Sequence, residues 1–282
     1  MTFKLEIPLD RPTAEAMATV VSTAQRRGVK CLLIGAAARD LILVNGWNRR
    51  TGTATRDLDF AFALESWEQF HALKMALKAT GSVVCDERSP HLVQFSGPGG
   101  IQLPIDLIPF GPLETPAGEI RWPGPDGGVL PVHGFQEAMA NALEIEIRPG
   151  LMLRVASIPS QVVLKCFAWR DRKARLTHDA SDIALLLRTY AELGNEDRLY
   201  GDEYSILQQC GFDPVLAGAR LLGQDIRRMH GPETCRLIRA ILDDKASREE
   251  LSRRMVASLV YAEEEQVRIA RLLSQFHAGI TA

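Results

Sequence analysis

The sequence predicts an α/β fold with a mixed-direction sheet, followed by an α-helical domain. Three observations carry this. Short strand-like and helix-like runs alternate from residue 13 to residue 108. A stretch rich in Pro and Gly, residues 109–132, interrupts them. From Pro159 onward nearly every run has helical spacing. Alternating elements followed by a run of helices are the pattern of an α/β sheet domain joined to a helical bundle.

The elements follow in order. Residues 13–27 have the apolar spacing of an amphipathic helix, with Thr13 placed to cap it and Gly28 to stop it. Lys30–Ile34 (KCLLI) is a buried strand; Gly35 ends it, and Ala36–Val44 reads as helix. A polar loop, 45–55, leads to the strand Asp57–Ala63, and Ser66–Thr80 is again helical, stopped by Gly81. Three strand-like runs follow at Ser82–Cys85, Leu92–Phe95 and Ile101–Ile108, the last two joined by the hairpin loop SGPGG. The Pro/Gly-rich stretch sets the expected boundary between a domain at 1–132 and a helical domain at 133–282 that completes the cleft. In the second half, Phe135–Leu143 reads as helix and 144–155 as a small hairpin around Pro149-Gly150. Helices are expected at 159–172, 178–193, 213–229, 233–243 and 247–277.

Composition narrows the function classes. The chain has 282 residues, 46% hydrophobic and 24% charged, with a formal net charge of −2, so a nucleic-acid site would have to be a local basic patch. The five cysteines are scattered without metal-ligand spacing, which suits reduced thiols. There is no signal-peptide core, and no apolar run reaches the ~20 residues of a membrane helix. A cytoplasmic protein with no membrane partner is expected.

Chemistry concentrates in three places. Along TATRDLDFAFAL, Asp57, Asp59, Ala61 and Ala63 share one face, while Leu58, Phe60, Phe62 and Leu64 face a core. Two carboxylates side by side repel each other unless a divalent cation joins them; a solvated strand end beside Arg56 is the plain alternative. A third acid, Asp106, lies inside the apolar run LPIDLIPF. Three carboxylates point to Mg²⁺ (or Mn²⁺), an oxygen-ligand metal. The third place is CLLIGAAARDL, a strand, a Gly and a helix start, whose first amides suit a phosphate; an ordinary tight turn would look the same.

GAAARDLIL followed by RDLDFAFAL resembles the polymerase β-like nucleotidyltransferase superfamily. It is similar to the head signature shared with CCA-adding enzymes, Gly-Gly-x-x-Arg-Asp and then Asp-x-Asp. The resemblance covers residues 30–110. It implies a nucleotidyltransferase head in which Asp57, Asp59 and Asp106 are catalytic and hold the metal. An NTP would be bound through Gly35, Ala36, Arg39 and Arg56, and NMP transferred to an acceptor hydroxyl. Ala36 departs from the family's second Gly or Ser.

Residues 159–185 carry a lone Lys165 in an apolar run, then Arg172, then His178-Asp179-Ala180-Ser181-Asp182. A lysine there can snorkel to water, and a first-turn Asp is ordinary at a helix start. The arrangement resembles the AbiEii-type nucleotidyltransferases, toxins of type IV toxin–antitoxin systems close to the MenT toxins, with His178 where that family has Lys. The resemblance implies catalytic roles for Lys165 and Asp179, with Lys165 also touching nucleotide. It further implies an RNA or tRNA acceptor and an antitoxin partner. The segment RDRKARLTH offers a local basic patch for triphosphate or RNA backbone. Small-molecule or protein nucleotidylation, and a catalytically silent nucleotide-binding module, are the alternatives.

Overall fold

The computed structural model describes residues 2–51, 55, 57–85, 89–124, 127–172, 178–257 and 262–282. Two compact units divide at Ser157/Ile158.

The first unit is a mixed α/β fold. It begins with β1 (Thr2–Phe3) and α1 (Arg11–Arg26), then β2 (Lys30–Ile34) and α2 (Gly35–Asp40). The side chain of Asp10 caps α1, its Oδ1 accepting from Thr13 N–H at 3.0 Å. The cap is therefore Asp10 rather than Thr13, because Pro12 suits the first turn and the helix starts earlier. Beyond α2 the helix continues as a π-helical stretch, Leu41–Gly46. Next come β3 (Leu58–Ala63), α3 (Trp67–Lys78, capped by the Ser66 hydroxyl), β4 (Val83–Cys85), β5 (Leu92–Ser96) and β6 (Gln102–Phe110).

The Pro/Gly-rich stretch after β6 is folded rather than a free linker. Glu114 accepts from the amides of Gly111 (2.8 Å) and Gly118 (2.7 Å), and β7 (Glu119–Arg121) pairs antiparallel with β8 (Val129–Pro131). Then follow α4 (Phe135–Ala140), β9 (Leu143–Arg148) and β10 (Leu151–Val155). The hairpin β9–β10 hydrogen-bonds into the main sheet, so the first unit runs to Ser157, past residue 132. Proline and glycine marked an excursion, and strand pairing across it decided what belonged to the sheet.

The eight-stranded sheet has the order β1-β9-β10-β2-β3-β6-β5-β4. Adjacent strands β3 and β6 run parallel, while β2–β3, β5–β6 and β4–β5 are antiparallel. Leu58, Phe60, Phe62 and Leu64 are all buried, as are Val93, Phe95, Ile105 and Leu107 on the neighbouring strands. Fully burying each such side chain contributes about 1.5–3 kcal/mol, which fixes the register and with it the direction of the alternate residues.

The second unit is all helix: α5 (Ile158–Arg172), α6 (Asp179–Thr189), α7 (Glu196–Tyr200), α8 (Tyr204–Gln209), α9 (Pro214–Met229), α10 (Pro232–Asp243), α11 (Lys245–Val256) and α12 (Ala262–Thr281). The two short helices α7 and α8 fill a stretch without a clear helical period. Where one helix was expected at 247–277 there are two, and 258–261 lies outside the described residues. Helices α9 and α12 meet at glycines: a β-carbon on Gly279 would stand 2.0 Å from the Arg220 carbonyl oxygen, and one on Gly223 2.3 Å from that of Phe276. A buried polar network ties the unit further. Asp225 accepts from Tyr190 Oη (2.6 Å) and from both terminal nitrogens of Arg198 (2.8 Å each). Burial, then the Asp225 charge, push the Tyr190 phenol well above its ordinary range.

Candidate active site

Strand pairing brings the acids together. In the parallel ladder of β3 and β6, Asp59 stands directly opposite Asp106, so both side chains leave the same face. Asp57, two residues before Asp59, is exposed at the entry to β3, its amide donating to Thr55 Oγ1 at 3.3 Å. Asp59 is half-buried, and so is Asp106. Burial pushes the Asp106 carboxyl above the usual carboxylate range; nearby His91 opposes this, the Asp57 charge adds to it, and a hydrogen bond with Asp59 opposes it. Asp57 therefore acts on Asp106 through its charge, and Asp59 is within hydrogen-bonding reach of it.

The Gly35 turn belongs to the same place. Ile34, the last residue of β2, pairs with Asp59 across the antiparallel ladder. Gly35 follows at φ +70°, a conformation glycine adopts freely. A β-carbon there would stand 2.0 Å from Asp59 Oδ2, so only glycine leaves room for the carboxylate. The two sequence motifs, the Gly turn and the Asp-x-Asp strand, thus meet in space.

Among the described residues, no group of three or more His, Cys, Asp or Glu side chains stands ready to hold a metal ion. Asp57, Asp59 and Asp106 nevertheless have the right donor chemistry for a hard divalent cation. They offer oxygens only, two of them in register; the Asp57 charge works against ionisation of Asp106 and nearby His91 favours it.

Other expected residues are placed differently. Arg39 is buried at 1% exposure, with its guanidinium on Asp40 (2.7–2.8 Å), so it braces the α2 turn from inside. Ala36 lies beside Gly35 in the first turn of α2. Arg56 lies outside the described residues. Lys165 does not snorkel: it is buried and forms an ion pair with Asp182, linking α5 to α6. Asp179 is buried and accepts from Arg172 Nη2 at 3.0 and 3.3 Å. The four charges of the Lys165…Arg172…Asp179…Asp182 pattern thus form two ion pairs that tie α5 to α6 within the second unit. Of the basic segment, Arg170 pairs with Asp171 (2.8 Å) and Arg172 with Asp179, while residues 173–177 lie outside the described residues.

Sequence reasoning missed His91, whose Nε2 lies 4.0 Å from Asp106 Oδ1. It also missed Asp182 as the partner of Lys165. A histidine ahead of a strand carries no signal until β5 is known to flank β6.

No protein-family model matches the chain, and no curated protein matches it. Solved structures overlap it in part. An antigenic nucleotidyltransferase-like protein from Paracoccidioides brasiliensis is similar with a TM-score of 0.45 and 15% identity, over 74% of this chain and 94% of that one. The antibiotic-resistance factor ANT(2'')-Ia gives a TM-score of 0.40 and 16% identity, over 71% and 97%. A CCA-adding enzyme in complex with ATP gives 0.27 and 15%, over 93% and 66%. These are partial likenesses. No residue's chemistry follows from an overlap at that identity. Among the described residues no helix is long and apolar enough to cross a membrane.

Proposed function

We propose that the first unit is a nucleotidyltransferase head that moves NMP from an NTP to an acceptor hydroxyl, releasing pyrophosphate. One observation carries this reading: Asp59 and Asp106 face each other in register on parallel strands, with Asp57 close enough to act on Asp106 and Gly35 against Asp59. Asp57, Asp59 and Asp106 would hold Mg²⁺ or Mn²⁺. Such an ion, when bound, offsets negative charge on the reacting phosphate and on the attacking oxygen.

The chain's own groups do the rest. The first amides of a helix have no intrahelical acceptor and lie at its positive end, so Gly35 and Ala36 would receive the β- and γ-phosphates. The acceptor oxygen forms a bond to the α-phosphorus as the bond to pyrophosphate breaks. In its ionised form Asp106, whose proton affinity burial raises, is suited to take the acceptor proton. Arg39 keeps the turn rigid from within.

The acceptor in this reading is RNA, in a toxin-like role with an antitoxin partner, supported by the Lys165…Arg172…Asp179-x-x-Asp182 pattern of the AbiEii-type resemblance. Lys165 and Asp179 then serve by holding α5 to α6. Incubating the protein with Mg²⁺, each labelled NTP and total tRNA tests it. Label on RNA that is lost with Asp57→Asn plus Asp59→Asn is the expected result, and no label from any NTP with folded protein would overturn it. A net charge of −2 favours a second reading, a small-molecule acceptor, which label on metabolites alone would select.

A further inference from the structure

We propose that the second unit carries a docking surface for an arginine-rich segment of a partner protein, formed by Tyr200, Tyr204 and Phe212. The surface lies on α7, α8 and the turn into α9, and it does not depend on the nucleotidyl-transfer reading. Among the described residues, the exposed Tyr, Phe and Trp side chains are these three, at 63%, 43% and 60%. The rings of Tyr204 and Phe212 lie 6.3 Å apart, tilted by 57°. Phe212 also sits at φ +62°, a conformation uncommon for a bulky residue, and its ring gains little burial there. Leu199, Ile206 and Leu207 are buried, so α7 and α8 already have an inward apolar face and the three rings are surplus to it. Exposed apolar groups gathered in one place mark an interaction site.

The backbone beneath the rings is held. Tyr204 N–H donates to the Gly201 carbonyl at 3.1 Å, so a single turn separates Tyr200 from Tyr204, and Phe212 N–H donates to the Leu207 carbonyl at 2.9 Å. Charge selects the occupant. Glu196, Asp197 and Asp202 are exposed in the same segment. Its one cation, Arg198, is committed to the unit itself, binding Asp225 through both terminal nitrogens at 2.8 Å. Glu203 is likewise taken up by Arg228 at 2.8 Å. A second copy of the chain would set these acids against one another, and nucleic acid or an anionic membrane would be repelled. An arginine matches both features of the surface. Its guanidinium stacks on the face of a Tyr or Phe ring and pairs with a carboxylate. Several arginines along one segment would engage rings and acids together.

The test uses the full chain and a fluorescein-labelled peptide that repeats Arg-Leu-Arg, followed by fluorescence anisotropy. A peptide of the same length that repeats Glu-Leu-Glu is the control. The native protein is expected to bind the basic peptide and not the acidic one. Tyr204→Ala and Phe212→Gly should each weaken binding about tenfold, the scale of an interface anchor. Glycine adopts φ +62° freely, so Phe212→Gly should hold or raise Tm while it weakens binding, which separates the ring's contact from any role in folding. The triple variant Glu196→Gln plus Asp197→Asn plus Asp202→Asn should weaken binding and flatten its dependence on salt. Glu65→Gln plus Glu68→Gln, exposed acids of the first unit, should leave it unchanged. No binding of the basic peptide, equal binding by both ring variants, or an equal loss with the first-unit acids would overturn the surface. Equal affinity for the acidic peptide would overturn the charge assignment. A native dimer in sedimentation that Phe212→Gly dissociates would make the occupant a second copy and overturn the basic partner. Tyr204 is exposed, so its variant stays decisive if Phe212→Gly proves less stable.

Discussion

Asp59 Oδ2 occupies the space that a side chain on Gly35 would need, 2.0 Å from where its β-carbon would stand. The pair joins the strand-to-helix turn to the acidic strand, and each constrains the other.

Gly35→Ala tests that constraint. Alanine at φ +70° costs about 1–2 kcal/mol from backbone strain alone, and its methyl must also displace the Asp59 carboxylate. A thermal melt should show a loss of at least this size, with Mn²⁺ binding impaired. Unchanged melting and metal binding would mean that Asp59 does not depend on the turn.

Metal binding is the direct test of the carboxylates. Titration calorimetry with Mn²⁺ should give a site in the native chain that weakens at least tenfold in Asp57→Asn plus Asp59→Asn and in Asp106→Asn, with circular dichroism unchanged. EDTA should abolish NMP transfer and added Mg²⁺ restore it. A Mn²⁺ site untouched by all three substitutions would place the ion elsewhere.

In the second unit, Lys165 and Asp182 are both buried and paired. Lys165→Ala removes the lysine from a buried carboxylate, a change that costs about 3–5 kcal/mol. The double variant Lys165→Met plus Asp182→Leu should recover most of that stability, because an apolar pair of similar size needs no desolvated charge. If the single and double variants denature alike in urea, the ion pair is not what links α5 to α6.

The cysteines give a pH prediction. Burial pushes the Cys166 thiol up to about 12 and that of Cys31 to about 11, from an ordinary 9.0. Both pKa values are raised in the folded state, so the stability they carry is complete below about pH 9 and falls as pH rises through 11 and 12. At pH 8, native protein should show one fast thiol toward a disulfide reagent, the half-buried Cys85, and four slow ones that react on denaturation. Fast labelling of Cys166 in the native state would contradict its burial.

Much of the fold was legible because hydrophobic period is a local property. KCLLI is the strand Lys30–Ile34 as read, and the alternation in LDFAFA predicted both the strand and the face that carries Asp57 and Asp59. Short strands such as β9 and β10 were visible as a hairpin, but their sheet partners were not, since hydrogen bonding to β2 depends on chain far away in sequence. For the same reason the Pro/Gly-rich stretch looked like a boundary while its carboxylate clamp at Glu114 holds it folded.

The sequence by itself determined which residues had to be inside, where strands gave way to helices, and that two acids shared one strand face while a third lay inside an apolar run. Only the tertiary structure decided their partners. Pairing β3 beside β6 set Asp59 opposite Asp106, and pairing β5 beside β6 brought His91 to it. The packing of α5 on α6 turned Lys165 from a free cation into half of a buried pair. Side-chain identity is written along the chain, but electrostatic interaction depends on distance in space, and that distance exists only once the strands and helices are assembled.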